Sequence, residues 1–139
     1  MLDNLLAEAD DRVLVTVPYI HVWALPVRPL VARLVALTDA GLDVRLLLGA
    51  PPPDPDTRAL LERSLAVRVM DPLRCTTGHA KGVVAGDSVV VTSANWSAPG
   101  LGGALESALR VDHPSAAAYY AAAFDHDWST ADVLLPPQA

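Results

Sequence analysis

The sequence predicts a three-layer α/β domain with a mixed β-sheet, and three features carry this prediction. In the first half of the chain, short runs rich in valine and leucine alternate with helix-periodic segments, as in parallel strands joined by crossover helices. Two further apolar runs flank a Gly-Asp pair, which is typical of a β-hairpin. An alanine-rich segment near the end predicts a helix. The length of 139 residues predicts a single domain over residues 1–139.

The predicted elements follow one another along the chain. In order, they are strand 11–17, helix 30–40, strand 42–50, helix 56–65, strand 66–70, hairpin 81–93, strand 104–111 and helix 113–128, with a loop over 99–103 and a frayed tail over 134–139. Gly41 is expected to end the first helix, and Asp56 to cap the second. The last helix is predicted to begin near Ser115 and to bury Tyr119 and Phe124.

The composition limits the classes of function. Sixteen acidic residues against ten basic ones give a net charge of −6, which disfavours a protein that coats nucleic acid, so a phosphodiester substrate requires a local basic pocket. A single cysteine, Cys75, excludes an internal disulfide and is expected to be a loop or core thiol. Residues 1–10 lack the features of a signal peptide, and no run of about 18 apolar residues occurs. We therefore expect no transmembrane segment and a cytoplasmic location.

A group of polar side chains on the predicted hairpin suggests phosphate chemistry. Lys81 is the only lysine of the chain and follows His79 by two residues, so both side chains are expected on one face of a strand. The returning strand carries Ser93 and Asn95, again two residues apart. An imidazole, an ammonium, a hydroxyl and an amide together suit an anionic tetrahedral centre. Glu106 is the available carboxylate to hold the imidazole tautomer.

Each of these residues also has a structural explanation when taken alone. A histidine at the start of a strand usually bonds a loop carbonyl, and Ser-x-Asn often only caps a turn. The ordered set on one hairpin favours a functional site instead. No His, Cys and Asp spacing suggests a metal site, so we expect the chemistry to need neither metal nor other cofactor.

These residues resemble a known family. "HAK…TSANWS…LE" is similar to the H-x-K-x4-D-x6-G-S-x-N motif and the downstream N-x-E of the phospholipase D superfamily, the HKD phosphodiesterases, and the resemblance extends from residue 11 to residue 128. It implies a phospholipase D-like fold and a metal-independent phosphodiesterase or phosphatidyltransferase. It also implies that His79 is the nucleophile that forms a phosphohistidine. Lys81 and Asn95 would bind phosphate oxygens, Ser93 would lie beside them, and Glu106 would orient His79.

Three positions depart from the motif. Gly86 stands where the motif has aspartate, and Asp87 follows one place later, so either Asp87 takes that role or the role is lost. Thr92 replaces the glycine before the serine, and Ala104 replaces the asparagine of N-x-E. The last change removes one polar contact but keeps the carboxylate.

The chain carries one such motif, whereas the family's chemistry uses two. The second half would come from a homodimer, from the N-terminal half of a longer protein or from a separate chain. The other histidines, His21, His113 and His126, are not followed by lysine at the second position. We expect them to be surface or capping residues, and the alternative for His21 is a position near the cleft.

Several alternatives stay open at this level. The apolar loop containing Tyr19, Trp23 and Leu25 is an interface, a lipid-facing surface or part of the core. The favoured hypothesis is a phosphodiesterase acting on lipid or nucleic acid. A second hypothesis is a degenerate half that binds phosphate or a partner domain without turnover. A third is a plain α/β interaction domain without a phosphate site.

Overall fold

The computed structural model describes residues 1–71, 80–103 and 105–133, and it confirms the predicted α/β class. The helices are α1 (Leu2–Ala7), α2 (Arg28–Asp39), α3 (Pro55–Ser64), α4 (Ala98–Gly102) and α5 (Pro114–Thr130). The strands are β1 (Arg12–Val17), β2 (Asp43–Leu48), β3 (Ala66–Val69), β4 (Gly82–Ala85), β5 (Ser88–Thr92), β6 (Ala108–Asp112) and β7 (Asp132–Val133). They form one mixed sheet in the order β6-β5-β4-β1-β2-β3-β7.

The centre of the sheet follows from the apolar runs of the sequence. Strands β1, β2 and β3 pair in parallel, and the crossover helices between them are α2 and α3. The middle of β1 is buried on both faces, as expected for a central strand covered by helices. On the other side of β1, β4 pairs antiparallel and begins the hairpin with β5. Gly86 turns this hairpin with a φ of 55°, which suits the first position of a type II′ turn.

Helices cover both faces of the sheet, which makes the three predicted layers. The larger core cluster joins α1, α2 and α3 to the sheet through side chains such as Leu6, Leu34 and Leu61. The smaller cluster lies under α5, where Phe124 and Ala121 pack against the opposite face of the central strands. No helix within the described ranges is both long and apolar enough to cross a bilayer.

Several predicted details were wrong. Tyr119 is 73% exposed because the buried stripe of α5 consists of Ala117, Ala121 and Phe124. The cap of α3 is Asp54 and not Asp56, since the Asp54 carboxylate accepts the backbone N–H of Thr57 at 3.0 Å.

Other boundaries also moved. The cap of α5 is the imidazole of His113, which accepts the backbone N–H of Ser115 at 3.1 Å. Part of the loop predicted over 99–103 belongs to α4. Strand β6 begins at Ala108, later than predicted, and the predicted tail over 134–139 lies outside the described residues.

Candidate phosphate-binding site

The candidate site lies at the edge of the sheet where β1 ends, β4 begins and β5 ends. Gly82 pairs with Thr16 near the carboxyl end of β1 and with Val91 near the end of β5. The backbone N–H of Thr92 then donates to the carbonyl of Lys81 at 3.3 Å. The backbones of Lys81 and of the residues that follow Thr92 therefore lie at one edge of the sheet.

Ser93 ties the end of β5 to the segment that leads into β6. Its backbone N–H donates to the carbonyl of Ser107, and its hydroxyl accepts the N–H of Ser107, both at 2.9 Å. The same hydroxyl donates to a carboxylate oxygen of Glu106 in a short hydrogen bond. Glu106 lies before β6 and not on it, and its described polar contact is Ser93.

Asn95 carries a buried side-chain atom that has no hydrogen-bond partner. Its Oδ1 is buried and has no hydrogen-bond partner among the residues that the structure describes. An unsatisfied buried acceptor costs roughly 1–3 kcal/mol, and such atoms in native proteins often mark sites of ligand binding or catalysis. The atom without a partner is an acceptor, so it suits a donor group, whereas a phosphate oxygen would have to be bound by the Nδ2 amide of the same side chain.

The backbone of Asn95 is fixed by α4. The Asn95 carbonyl accepts the N–H of Ser97 at 2.9 Å, and the Ser97 hydroxyl caps α4 by accepting the N–H of Gly100 at 3.1 Å. Gly100 packs so closely that a Cβ there would lie 2.1 Å from the Asn95 carbonyl oxygen. Only glycine permits this approach of α4 to the site.

Thr92, which departs from the family motif, makes two hydrogen bonds at the same strand end. Its hydroxyl accepts the backbone N–H of Ala94 at 3.0 Å and donates to the carbonyl of Ser107 at 3.1 Å. The first bond fixes the backbone just before Asn95, and the second attaches it to the segment that leads into β6.

Not all predicted site residues meet at this edge. Asp87 is exposed in the turn at the opposite end of the β4–β5 hairpin, away from Lys81. His79, Cys75 and Ala104 lie outside the described residues, so the roles implied for His79, and its pairing with Glu106, stay predictions.

The loop after β1 lies beside the site. His21 is exposed, and its backbone N–H donates to the carbonyl of Trp96 at 2.8 Å, one residue beyond Asn95. Trp23 donates a side-chain hydrogen bond to the Asp54 carboxylate. The pKa of Asp54 is lowered first by the hydroxyl and backbone N–H of Thr57 and also by this bond. His21 therefore lies on the surface near the strand end that leads to Asn95.

The sequence analysis missed the residues that position the site. Thr92 was interpreted only as a replacement of the motif glycine, Gly100 was predicted to lie in a loop, and no role was predicted for Ser97. A signal for α4 was present, because a serine followed two residues later by proline is typical of a helix start. Among the described residues, no cluster of three His, Cys, Asp or Glu side chains suited to a metal ion occurs.

Comparisons with known proteins place this geometry in context. A family model described as cardiolipin synthase, PLD-like domain, matches residues 2–128. A comparison with curated proteins found no match.

Solved structures with the same fold share little sequence with the chain. It is similar to NucT from Helicobacter pylori, with 14% identity over 95% of this chain and 87% of that one and a TM-score of 0.79. It is also similar to Nuc, a phospholipase D family member from Salmonella typhimurium, with 14% identity, the same coverage and a TM-score of 0.78. Phosphatidylserine synthase from Haemophilus influenzae Rd KW20 matches 99% of this chain at 15% identity and a TM-score of 0.79, but the match spans 36% of that longer chain.

Proposed function

The chain belongs to the family described as cardiolipin synthase, PLD-like domain, and we propose that it cleaves phosphodiesters through a covalent intermediate on His79 without a metal. In this proposal Lys81 and Asn95 bind the non-bridging phosphate oxygens. Ser93 and Glu106 form the polar wall beside them. Hydrolysis and transfer to an alcohol share this intermediate, so the proposal covers both phosphodiesterase and phosphatidyltransferase activity.

One observation carries the proposal. The only lysine of an acidic chain lies at the sheet edge where β5 ends and where Ser93 and Asn95 follow. Hydrogen-bond donors and positive charge that are fixed before the substrate arrives stabilise a phosphoryl transition state with little reorganisation. The family match over residues 2–128 supports the assignment of this edge to phosphodiester chemistry.

The proposed reaction has two displacements at phosphorus. An imidazole nitrogen of His79 attacks, the P–O bond to the leaving group breaks, and a proton is delivered to the departing oxygen by a second imidazole acting as general acid. The phosphorus then carries the His79 nitrogen and the remaining ester group. Attack by water or an alcohol breaks the N–P bond, and the second imidazole accepts the proton of the attacking group.

The second imidazole comes from another half in this proposal. In a symmetric homodimer, the His79 side chains of the two copies face each other in one shared site. One of them then acts as the nucleophile and the other as the general acid. A second PLD-like half in a longer protein or in a separate chain supplies the same group. The mass of the active species by light scattering distinguishes a self-sufficient homodimer from a chain that needs a different half.

Trapping of the intermediate tests the proposal. Bis(4-nitrophenyl) phosphate labelled at phosphorus, mixed with protein in EDTA, is expected to leave label on the protein that is lost in acid and stable in alkali, as for an N–P bond. His79→Ala should abolish the label, whereas His126→Ala, which changes an exposed histidine of α5, should keep it. Label that survives in His79→Ala, or that is lost on chelation, contradicts the mechanism.

A second function, phosphate binding without turnover, is favoured by one observation. The motif aspartate is replaced by Gly86, and Asp87 lies in the turn at the far end of the hairpin. Two results together would support this function over catalysis. Wild-type protein would bind phosphate and Lys81→Met would not, and the trapping experiment would label neither protein.

A further inference from the structure

The loop between β1 and α2 carries an exposed apolar surface over residues 19–25, called the loop surface below. Within it, Leu25 is 77% exposed and Trp23 is 53% exposed. The loop is anchored to the core around these side chains, because Val22 and Val27 are buried. Exposed apolar side chains grouped in this way mark an interaction surface.

A groove lies on the same surface and has a volume of about 220 Å³. The loop contributes Trp23 and Ala24 to its lining, and the segment after β2 contributes Pro52 and Pro53. The described lining does not include Leu25, which follows Ala24 directly. The loop surface therefore offers both an exposed apolar side chain and a recess that can receive one.

Trp23 forms a fixed wall of this groove. Its side chain donates a hydrogen bond to the Asp54 carboxylate, which also accepts the backbone N–H and the hydroxyl of Thr57. These bonds stabilise the charge of Asp54, an acidic residue of the groove lining, and they hold the indole while half of the side chain faces outward. A partner then meets a preformed wall and loses little side-chain entropy on binding. Tryptophans of this kind are frequent anchors of protein interfaces.

The charge and shape of this surface favour a second copy of the chain as its partner. Residues 13–27 and 49–53 contain no Asp, Glu, Lys or Arg, in a chain with a net charge of −6. Two acidic copies that meet through these residues bring few like charges into contact. A surface on which each copy offers both an exposed side chain and a recess is also self-complementary, as a two-fold dimer requires.

The loop surface adjoins the candidate site. Ile20 forms a β-bridge with Trp96, and the backbone N–H of His21 donates to the Trp96 carbonyl at 2.8 Å. Trp96 directly follows Asn95. In a two-fold dimer, a contact beside the site of one copy also lies beside the site of the other. The two sites therefore approach each other across the axis, which is the arrangement that a shared site with two imidazoles needs.

We propose that the loop surface is the contact between two copies of this chain, in which Leu25 of each copy enters the groove beside Trp23 of the other. The contact itself stands on the geometry of the loop. Its catalytic consequence, that this contact completes the phosphate site, rests on the proposed function.

The first test measures the mass of the full chain by light scattering over a dilution series. Wild-type protein should be a dimer. Trp23→Ser and Leu25→Asp should each raise the dimer dissociation constant about 100-fold or more, as the loss of a central interface anchor does. Tyr119→Ser, which changes an aromatic side chain exposed on α5, is the matched control and should dimerise as wild type. Circular dichroism checks that each variant is folded.

The second test uses two variants that should fail alone and pair with each other. Leu25→Ala removes the inserted side chain and leaves the groove open, whereas Ala24→Trp fills the groove and leaves Leu25 in place. Each variant should be monomeric at concentrations where wild type is a dimer. Mixed in equal amounts, they should form a heterodimer, because Leu25 of the second variant still meets the open groove of the first. Mixing would not restore a dimer if the two changes only disturbed the fold of the loop.

Three outcomes overturn the contact. The first is a wild-type chain that stays monomeric, including one that binds phosphatidylcholine vesicles through Trp23. The second is a wild-type dissociation constant in folded Trp23→Ser and Leu25→Asp. The third is a mixture of Leu25→Ala and Ala24→Trp that forms no heterodimer.

Turnover of bis(4-nitrophenyl) phosphate separates this inference from the proposed function. Turnover that is lost in monomeric Leu25→Asp, kept in Tyr119→Ser and regained in the mixture of Leu25→Ala and Ala24→Trp supports the loop contact as the one that completes the site. Full turnover by monomeric Leu25→Asp overturns that catalytic consequence. A wild-type dimer that Leu25→Asp dissociates, without turnover of any phosphodiester, overturns the proposed function but keeps the contact.

Discussion

Replacing Gly100 by alanine tests whether α4 positions Asn95, whose amide is proposed to bind phosphate. The new Cβ would lie 2.1 Å from the Asn95 carbonyl oxygen and 2.9 Å from its carbonyl carbon and backbone nitrogen. Ordinary contact begins near 3.4 Å, so the helix or the Asn95 backbone must retreat by about 1.3 Å. All three contacts are backbone atoms, which cannot move aside as a flexible side chain would.

This displacement sets the expected losses of unfolding free energy and of turnover. Overpacking of this kind typically costs about 1–3 kcal/mol of unfolding free energy. A shift of about 1 Å in a substrate-positioning group lowers turnover by about 100-fold. We therefore expect Gly100→Ala to unfold at a lower temperature and to bind phosphate and turn over bis(4-nitrophenyl) phosphate far more weakly than wild type.

Gly102→Ala is the matched control because it lies in the same short helix. Its Cβ would meet only the Pro26 side chain, at an ordinary 3.5 Å, so alanine should be accommodated there without displacing backbone atoms. Thermal unfolding followed by circular dichroism and phosphate titration followed by ³¹P NMR measure the two effects. If Gly100→Ala and Gly102→Ala behave alike in both assays, the positioning argument is wrong.

Three further predictions concern single side chains. Asp54→Asn keeps a good N-cap but removes a carboxylate whose pKa is lowered in the folded protein. The ionised carboxylate stabilises the fold at pH values above the ordinary pKa of 3.8, and this contribution is lost as pH falls through the lower folded pKa. The variant should therefore unfold at a lower temperature than wild type near neutral pH, with a difference that disappears in acid, and a difference that is constant with pH would contradict this. Phe124→Ala should cost about 3–5 kcal/mol in urea unfolding because it empties a buried site under α5, whereas Tyr119→Ala should change stability by less than about 0.5 kcal/mol. Thr92→Gly should weaken phosphate binding because the hydroxyl bond to the Ala94 N–H is lost, while Thr92→Ser should retain it; equal binding by both variants would remove Thr92 from the positioning role.

The sequence was informative where local patterns decide the structure. The β4–β5 hairpin was predicted because two apolar runs flank Gly86 and Asp87, and in the structure Gly86 has the left-handed φ that such a turn requires. Pairing across that hairpin then fixed Lys81 and Ser93 at the same edge. The parallel pairing of the first three strands also followed from general rules of crossover connection.

The details that were missed depend on tertiary packing. In α5 the residues Ala117, Ala121 and Phe124 face the sheet, and the flat hydropathy of an alanine-rich helix does not distinguish this face from the one that carries Tyr119. Helix α4 is five residues long, which is too short for periodicity to reveal. Its role appears only when Gly100 is seen against the backbone of Asn95.

The packing around Asn95 also changes how the departures from the motif should be weighed. Where the family has glycine, Thr92 places a hydroxyl that bonds both its own strand end, at the Ala94 N–H, and the neighbouring segment, at the Ser107 carbonyl. Ser93 bonds that same segment and Glu106. A change that looks like a loss in the motif thus adds two hydrogen bonds to the strand end that carries Asn95, the amide proposed to bind phosphate. Because these bonds limit the backbone motion that would misplace Asn95, the replacement at Thr92 argues for a maintained phosphate site and not for a decayed one.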